Sequence, residues 1–373
     1  MNDANAAFQP GMGLDEAAET RLKDAALVCY KALQAPKPDY EALAKDIAAA
    51  RKDAEALLVL AEKSDRPVAV DTPALPSPIP VIVPEGATHE QVLAGWKEQL
   101  VLRVKSVYEV LSGEILMPLP KWDEAIGVSW RHKKNLAKRA GPTAATMREA
   151  HAFALLLGGR QKIVRVKCGE TLFEDDLKKN TDNWHLYGPC ITTQDENGLR
   201  RKNKRVRHSD TVMWTKKEFD GNVLYEITVV PNNSGRAGVL FPICGRPVKK
   251  GTDLSVSVGQ TMETYNYGVH AYHFSVHRSE TGICNGRKVG TGLHLIGSRT
   301  PDPCEEVGRA YRVAVGKWEN NVFFLVDGKL QHCYYDAGTF GPPLEGGSVG
   351  TRHWGGADGT YRDAKVSRLV AME

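Results

Sequence analysis

From about Lys162 onward the sequence alternates apolar and polar residues in short runs, and this period of two restricts the fold more than any other feature. The runs are IVRVKC (163–168), DTVMW (210–214), NVLYEITVV (222–230), GVLFPIC (238–244), DLSVSV (253–258), YRVAV (311–315) and NVFFLVD (321–327). Clusters of Gly, Pro, Asn and Asp separate them, with no helical pattern between. Successive strands of this kind pair as antiparallel sheets, so the expectation is a sandwich or jelly roll. Turn chemistry agrees, because Asp220-Gly221, Asn232-Asn233 and Asp327-Gly328 sit between apolar alternations. About 210 residues is a suitable size for a double sheet.

Before Lys162 the period is helical. Leu22, Ala26, Cys29 and Leu33 recur at three and four, and Leu43, Ile47, Ala50, Ala54, Leu57 and Ala61 repeat the pattern. Residues 35–38 (APKP) stop the first helix and open the second, since Pro cannot continue a helix but suits its first turn. A third helix begins at Thr88, where Gln91 completes a capping box, and carries Val92, Trp96, Leu100, Val104 and Leu111 on one face. A shorter helical segment spans Lys121 to Lys138. Another runs from Thr146, with Glu149 as a second capping box, to Gly158-Gly159. Pro67, Pro73, Pro76, Pro78, Pro80 and Pro84 mark an extended linker.

The resulting organisation is α+β and multidomain. It consists of a helical hairpin for assembly or docking (1–66), a Pro-rich linker (67–87), a helical region (88–164) and a β-sandwich (165–373). The hairpin's Ala-rich apolar faces are narrow and need a partner surface, either a third helix or a second copy of the chain, so a homo-oligomer is expected.

Charge and composition narrow the classes. Forty-nine Lys and Arg against forty-five Asp and Glu leave a net charge of +4, too small to argue for a nucleic-acid partner. The N-terminus lacks a basic start followed by an apolar core, and no run of eighteen apolar residues exists, so neither a secretory signal nor a membrane span is expected. The expected location is cytoplasmic or within a larger particle. Seven cysteines without C-x-x-C spacing suggest reduced thiols rather than a disulfide framework or zinc ribbon. The basic stretch Arg131 to Arg139 reads as a solvated helix face. The denser run Arg200, Arg201, Lys202, Lys204, Arg205 and Arg207 has three readings: an edge strand guarded by charge, a nucleic-acid contact, or a rim that attracts acidic polysaccharide.

Candidate chemistry concentrates in residues 265–297, YNYGVHAYHFSVHRSETGICNGRKVGTGLHLIG. Alternation puts Val269, Ala271, His273, Ser275 and His277 in one row, and His270, Tyr272, Phe274, Val276 and Arg278 in the other. A row that is polar in its middle, within a β-rich segment, suggests a lined groove. Asn285, Arg287, Lys288 and His294 add further donors and titratable groups.

The segments TLFEDDL (171–177), DTVMWTKKEF (210–219), HAYHFSVHR (270–278), CNGRK (284–288), GLHLIG (292–297), FGPPLEGGSVGTRHW (340–354) and YRDAKV (361–366) resemble, in order and spacing, the YesU-like family. The resemblance spans residues 165–371 and implies a concanavalin A-like lectin/glucanase sandwich with a role in handling carbohydrate, since members are associated with breakdown of pectin-type polysaccharides. Positions matching the family pattern are Trp214, His273, Ser275, Arg278, Asn285, Arg287, Lys288, His294 and Arg352. This chain departs at His270, where Asn is usual, and at His277, where an aromatic is common.

A glycosidase of this class carries paired carboxylates in a Glu-x-Asp-x-Glu run, which is absent here; consecutive Glu174, Asp175 and Asp176 suit a turn instead. Elimination on a uronate sugar needs a base of moderate pKa and cations that neutralise the sugar carboxylate. His273, His277 or Tyr272 suit the base, and Arg278, Asn285, Arg287 or Lys288 the neutralisers. The expected catalytic set is His273, His277, Arg278 and Arg287, and the expected substrate-binding set is Trp214, Tyr272, Ser275, Asn285, Lys288, His294 and Arg352. No metal or cofactor is expected. The same donors would also hold an acidic sugar without chemistry, so a lyase-like enzyme and a binding or assembly module both stay open.

Overall fold

The computed structural model describes residues 16–60, 79–112, 136–159, 161–204, 211–234, 237–258, 262–277 and 282–372. Arg278, Arg205, Arg207, prolines 67, 73, 76 and 78, and the segment from Lys121 through residue 135 lie outside them. The helices are α1 (Glu16–Leu33), α2 (Tyr40–Leu60), α3 (His89–Ser112), α4 (Leu136–Gly158) and α5 (Met262–Gly268). The strands are β1 (Ile79–Pro84), β2 (Gln161–Asp175), β3 (Trp184–Tyr187), β4 (Cys190–Asp195), β5 (Gly198–Asn203), β6 (Thr211–Thr215), β7 (Phe219–Asp220), β8 (Val223–Pro231) and β9 (Ala237–Pro247). They continue with β10 (Val269–Val276), β11 (Cys284–Val289), β12 (Leu293–Arg299), β13 (Tyr311–Trp318), β14 (Asn321–Val326), β15 (Lys329–Tyr335), β16 (Gly346–Gly347), β17 (Gly350–Gly355) and β18 (Asp358–Ala371). The chain divides into two compact units, one built from residues 1–79, 96–160 and 337–341 and the other from residues 80–95, 161–336 and 342–373.

In the helical unit, Leu22, Ala26, Cys29 and Leu33 of α1 are buried, as are Leu43, Ile47, Ala50, Ala54 and Leu57 of α2. The break at residues 35–38 ends in Asp39, whose carboxylate accepts from the Ala42 amide at 3.0 Å and caps α2. The third surface that the hairpin needed is α4, which packs on α2. Glu55 of α2 receives Arg51 and Arg148, each at 3.0 Å. The capping box at Thr146 does not open a helix, because α4 already runs from Leu136. The box at Thr88 does: the Thr88 amide donates to Gln91 Oε1 at 2.8 Å, and the Gln91 amide donates to Thr88 Oγ1 at 3.2 Å.

The second unit is a β-sandwich. One sheet runs β1-β2-β18-β8-β13-β14-β15, with β5 on β18 and β4 on β5; the other runs β12-β11-β10-β9-β17-β6-β3. Part of the stretch read as linker is therefore strand, since β1 pairs at the sheet edge, where Pro80 and Pro84 cost no ladder bond on their outer side. The Asp327-Gly328 turn closes the β14–β15 hairpin with both residues at positive φ, 49° and 73°. Facing rows of the two sheets form the core, where Phe274 of β10 stacks on Phe324 of β14 at 4.9 Å. Each such side chain removed from water contributes roughly 1.5–3 kcal/mol.

DLSVSV alternates like a strand but forms a 3-10 turn at Leu254–Ser257. The Asp253 side chain accepts from the Ser255 amide at 2.8 Å and starts that turn. Together with α5 it covers the outer face of the seven-stranded sheet, the face turned away from the other sheet. Leu254 and Tyr265 there close over Val212, Trp214, Val269, Ala271 and Val289.

Candidate functional site

Antiparallel pairing decides which side chains share the outer face. His273 is opposite Arg287, and Ser275 is opposite Asn285 on β11 and Leu240 on β9. Leu240 in turn faces Arg352 of β17, which faces Val212 of β6. Directly opposed residues point the same way, so Arg287, His273, Asn285, Ser275 and Arg352 lie on one face. Tyr265 of α5 joins them from above. Its hydroxyl is 3.3 Å from His273 Nδ1, and the Arg352 guanidinium lies over its ring at 4.0 Å from the centroid. Ser275 Oγ donates to the Asn285 carbonyl at 3.2 Å. The Asn285 side-chain amide has no hydrogen-bond partner among the described residues.

This cluster is covered rather than open: His273 is 1% exposed, Arg352 4% and Arg287 5%. The groove expected from the polar row is thus roofed by the segment around α5.

The other expected residues lie elsewhere. Trp214 is on the outer face but wholly buried beneath the cover, with its Nε1 donating to Ser257 Oγ at 3.1 Å. Its ring is accommodated because Gly245 of β9 has no side chain; a Cβ there would lie 2.4 Å from the indole. Tyr272 and Lys288 are opposed to each other and belong to the inter-sheet face. Lys288 Nζ pairs with Asp336 Oδ2 at 2.6 Å, and Tyr272 Oη donates to the same oxygen at 2.5 Å. Burial first, then the Asp336 charge, push the Tyr272 phenol well above its ordinary range, so it serves as a donor and not as a base. His294 is opposed to Lys288 and contacts Thr291 Oγ1 at 3.1 Å. His277 takes a positive φ of 54° at the end of β10, and its ring nitrogens face two backbone carbonyls, of Cys304 at 2.9 Å and of Asn233.

The sequence reading did not place Tyr265 on this face, since it lies outside the strand pattern and reaches the face from a helix. Asp175, as its position in the acidic triplet implied, organises a turn: it accepts from the Leu177 amide at 2.8 Å and from Trp184 Nε1 at 3.1 Å. Among the described residues no group of three or more His, Cys, Asp or Glu is placed to hold a metal, and no helix is long and apolar enough to cross a membrane.

A two-sheet β-sandwich with a roofed polar cluster on its outer sheet defines the class. Within it, the chain belongs to the family described as domain of unknown function DUF1961, whose model matches residues 170–366. It is 24% identical over 219 residues to the uncharacterized protein YesU of Bacillus subtilis strain 168, covering 55% of this chain and 98% of that one. A solved Bacillus subtilis protein of unknown function with a galectin-like fold is similar at 24% identity and a TM-score of 0.49, covering 56% of this chain and 100% of that one. The carbohydrate-binding module CBM66 of Bacillus subtilis is similar at 11% identity and a TM-score of 0.37, over 50% of this chain and 95% of that one.

Proposed function

We propose that the sandwich handles an acidic glycan on the outer face of its seven-stranded sheet, and that it does so as a lyase acting on a uronate-containing polysaccharide. The carrying observation is the convergence of His273, Tyr265, Arg287 and Arg352 on that face. Two guanidiniums are suited to hold a sugar carboxylate through charge-assisted hydrogen bonds, which makes the carbon beside it acidic. His273 takes the proton from that carbon, the C–H electrons form the new double bond, and the bond to the glycosidic oxygen breaks. Tyr265, within hydrogen-bond reach of His273, protonates the leaving oxygen, and His273 returns its proton to restore the phenol. Substrate entry requires the cover to lift, because the cluster is almost fully buried as it stands.

That burial also favours a second reading, sugar binding without chemistry. Incubation with a panel of uronic and neutral glycans separates the two. The lyase reading expects ultraviolet absorbance from the unsaturated product, lost in His273→Ala. Calorimetric binding without product supports the second reading, and silence in both assays overturns both. Self-association through the helical region is a companion proposal. It is motivated by Val28 of α1, an apolar residue left 58% exposed, and is tested by light scattering of the full chain against a Val28→Glu variant.

A further inference from the structure

At one end of the inter-sheet core, away from the outer-face cluster, Arg201 of β5 points inward. Its neighbours Arg200 and Lys202 face out, Arg200 pairing with Asp358 at 2.8 Å. Arg201 is 1% exposed, and its guanidinium makes a weak bond from Nη2 to the Tyr187 carbonyl at 3.4 Å and contacts the Cys190 thiol. Its Nε and Nη1 have no hydrogen-bond partner, and among the described residues no carboxylate lies within ion-pair distance of it. Opposite Arg201 on β18 stands Gly359, and the Tyr361 phenol lies over that glycine, where a Cβ would come within 3.1 Å of its hydroxyl. Nearby, the Tyr361 hydroxyl and His353 Nε2 are bonded to each other, His353 Nδ1 is without a partner, and half-buried Cys190 lies at the rim. Asp358 is already engaged by Arg200 and by Asn232 at 3.1 Å.

An isolated cation removed from water is costly unless something compensates it. Burial depresses the Arg201 guanidinium, yet an arginine side chain stays protonated in proteins, so its charge persists. Burial, reinforced by the nearby Arg201 charge, pulls the His353 imidazole down to about 3, so it is neutral near pH 7 and adds no second positive charge. One guanidinium calls for one negative charge.

We propose that Arg201, with Tyr361 and His353, forms an internal site for a small inorganic monoanion of chloride type. The site is independent of the glycan reading, since none of its residues belongs to the outer-face cluster. Bound anion supplies the missing charge and accepts from Arg201 Nε or Nη1, which ties β5 to β17 and β18.

The test uses the full chain with sodium bromide as probe. Thermal unfolding is followed as bromide or chloride replaces fluoride at constant ionic strength, and a rise of several degrees that saturates is expected. Arg201→Met, which removes the charge and keeps a long apolar stem, is expected to give a flat response. Should that variant fail to fold, anomalous diffraction from bromide-soaked wild-type crystals decides: a peak within hydrogen-bond distance of Arg201 is expected. A wild-type melting point indifferent to halide, or a map with no bromide at Arg201, overturns the proposal.

Discussion

Replacing Lys288 by Met tests whether the inter-sheet ion pair holds the sandwich together. Lys288 and Asp336 are nearly inaccessible, and their charges meet at 2.6 Å. Lys288 Nζ also donates to the Pro342 carbonyl at 2.9 Å, and the Leu344 amide donates to Tyr272 Oη at 2.9 Å, so one carboxylate organises β10, β11 and the segment approaching β16. Lys288→Met leaves the Asp336 charge in low dielectric with its nearest cation gone, which costs about 3–5 kcal/mol. For a sandwich of this size each kcal/mol moves the melting point by roughly 2–4 °C, giving a fall of about 6–20 °C. Tyr272→Phe removes only a hydrogen bond to a charged acceptor, about 1.5–3 kcal/mol. The double variant Lys288→Met/Asp336→Leu removes both charges and is expected to be more stable than Lys288→Met alone, because no buried charge is left uncompensated. Urea unfolding followed by circular dichroism measures all three. A Lys288→Met loss below about 1 kcal/mol, or a double variant no more stable than Lys288→Met, would refute the reasoning.

Three further outcomes follow from the same coordinates. Burial, reinforced by the nearby Arg299 charge, pulls the His332 ring down to about 4, so it is neutral inside the core, where it stacks on Phe274. Its folded value lies below the unfolded one, so the unfolded chain binds the proton first. Stability is present above about pH 6.5 and is lost as pH falls toward 4, by roughly 3 kcal/mol, and His332→Phe should flatten that part of an acid titration. Of the seven thiols, Cys168 and Cys190 are half-buried and the other five are buried, so a thiol reagent added to native protein should label these two quickly and the rest only on unfolding. Trp214→Phe removes the indole bond to Ser257 that fastens the cover. Hydrogen exchange measured by mass spectrometry should then rise in residues 254–268, and unchanged protection there would contradict the role given to that bond.

The architecture was legible where a local rule has no competitor. Alternation located β8, β13 and β14, Asp327-Gly328 placed a hairpin, and Thr88 with Gln91 opened a helix, because each signal is carried by neighbours in the chain. Residues 253–258 alternate just as regularly and are not a strand: Asp253 caps a 3-10 turn, and Ser257 closes it by donating to the Leu254 carbonyl at 2.5 Å. Period alone does not reveal whether a backbone will find a ladder partner. The basic run misled in a similar way. Composition marks Arg200, Arg201 and Lys202 as a charged edge, whereas β5 has neighbours on both sides and turns Arg201 inward.

The same limit governs the site. Alternation sorts β10 into two rows, and pairing shows that both are buried, one by the opposite sheet and the other by the turn and helix that directly precede β10 and fold back over it, which no strand period reveals. The cover is fastened by specific contacts. Gly268 approaches so closely that a Cβ there would lie 2.9 Å from the Val256 carbonyl, Trp214 holds Ser257, and Tyr265 lies against Arg352. Access to His273 therefore depends on how easily residues 254–268 part from the sheet. A lyase needs that parting in each turnover, whereas a structural core would resist it. The contacts of Tyr265 consequently bear on function twice, since its hydroxyl partners the proposed base and its ring closes the path to it.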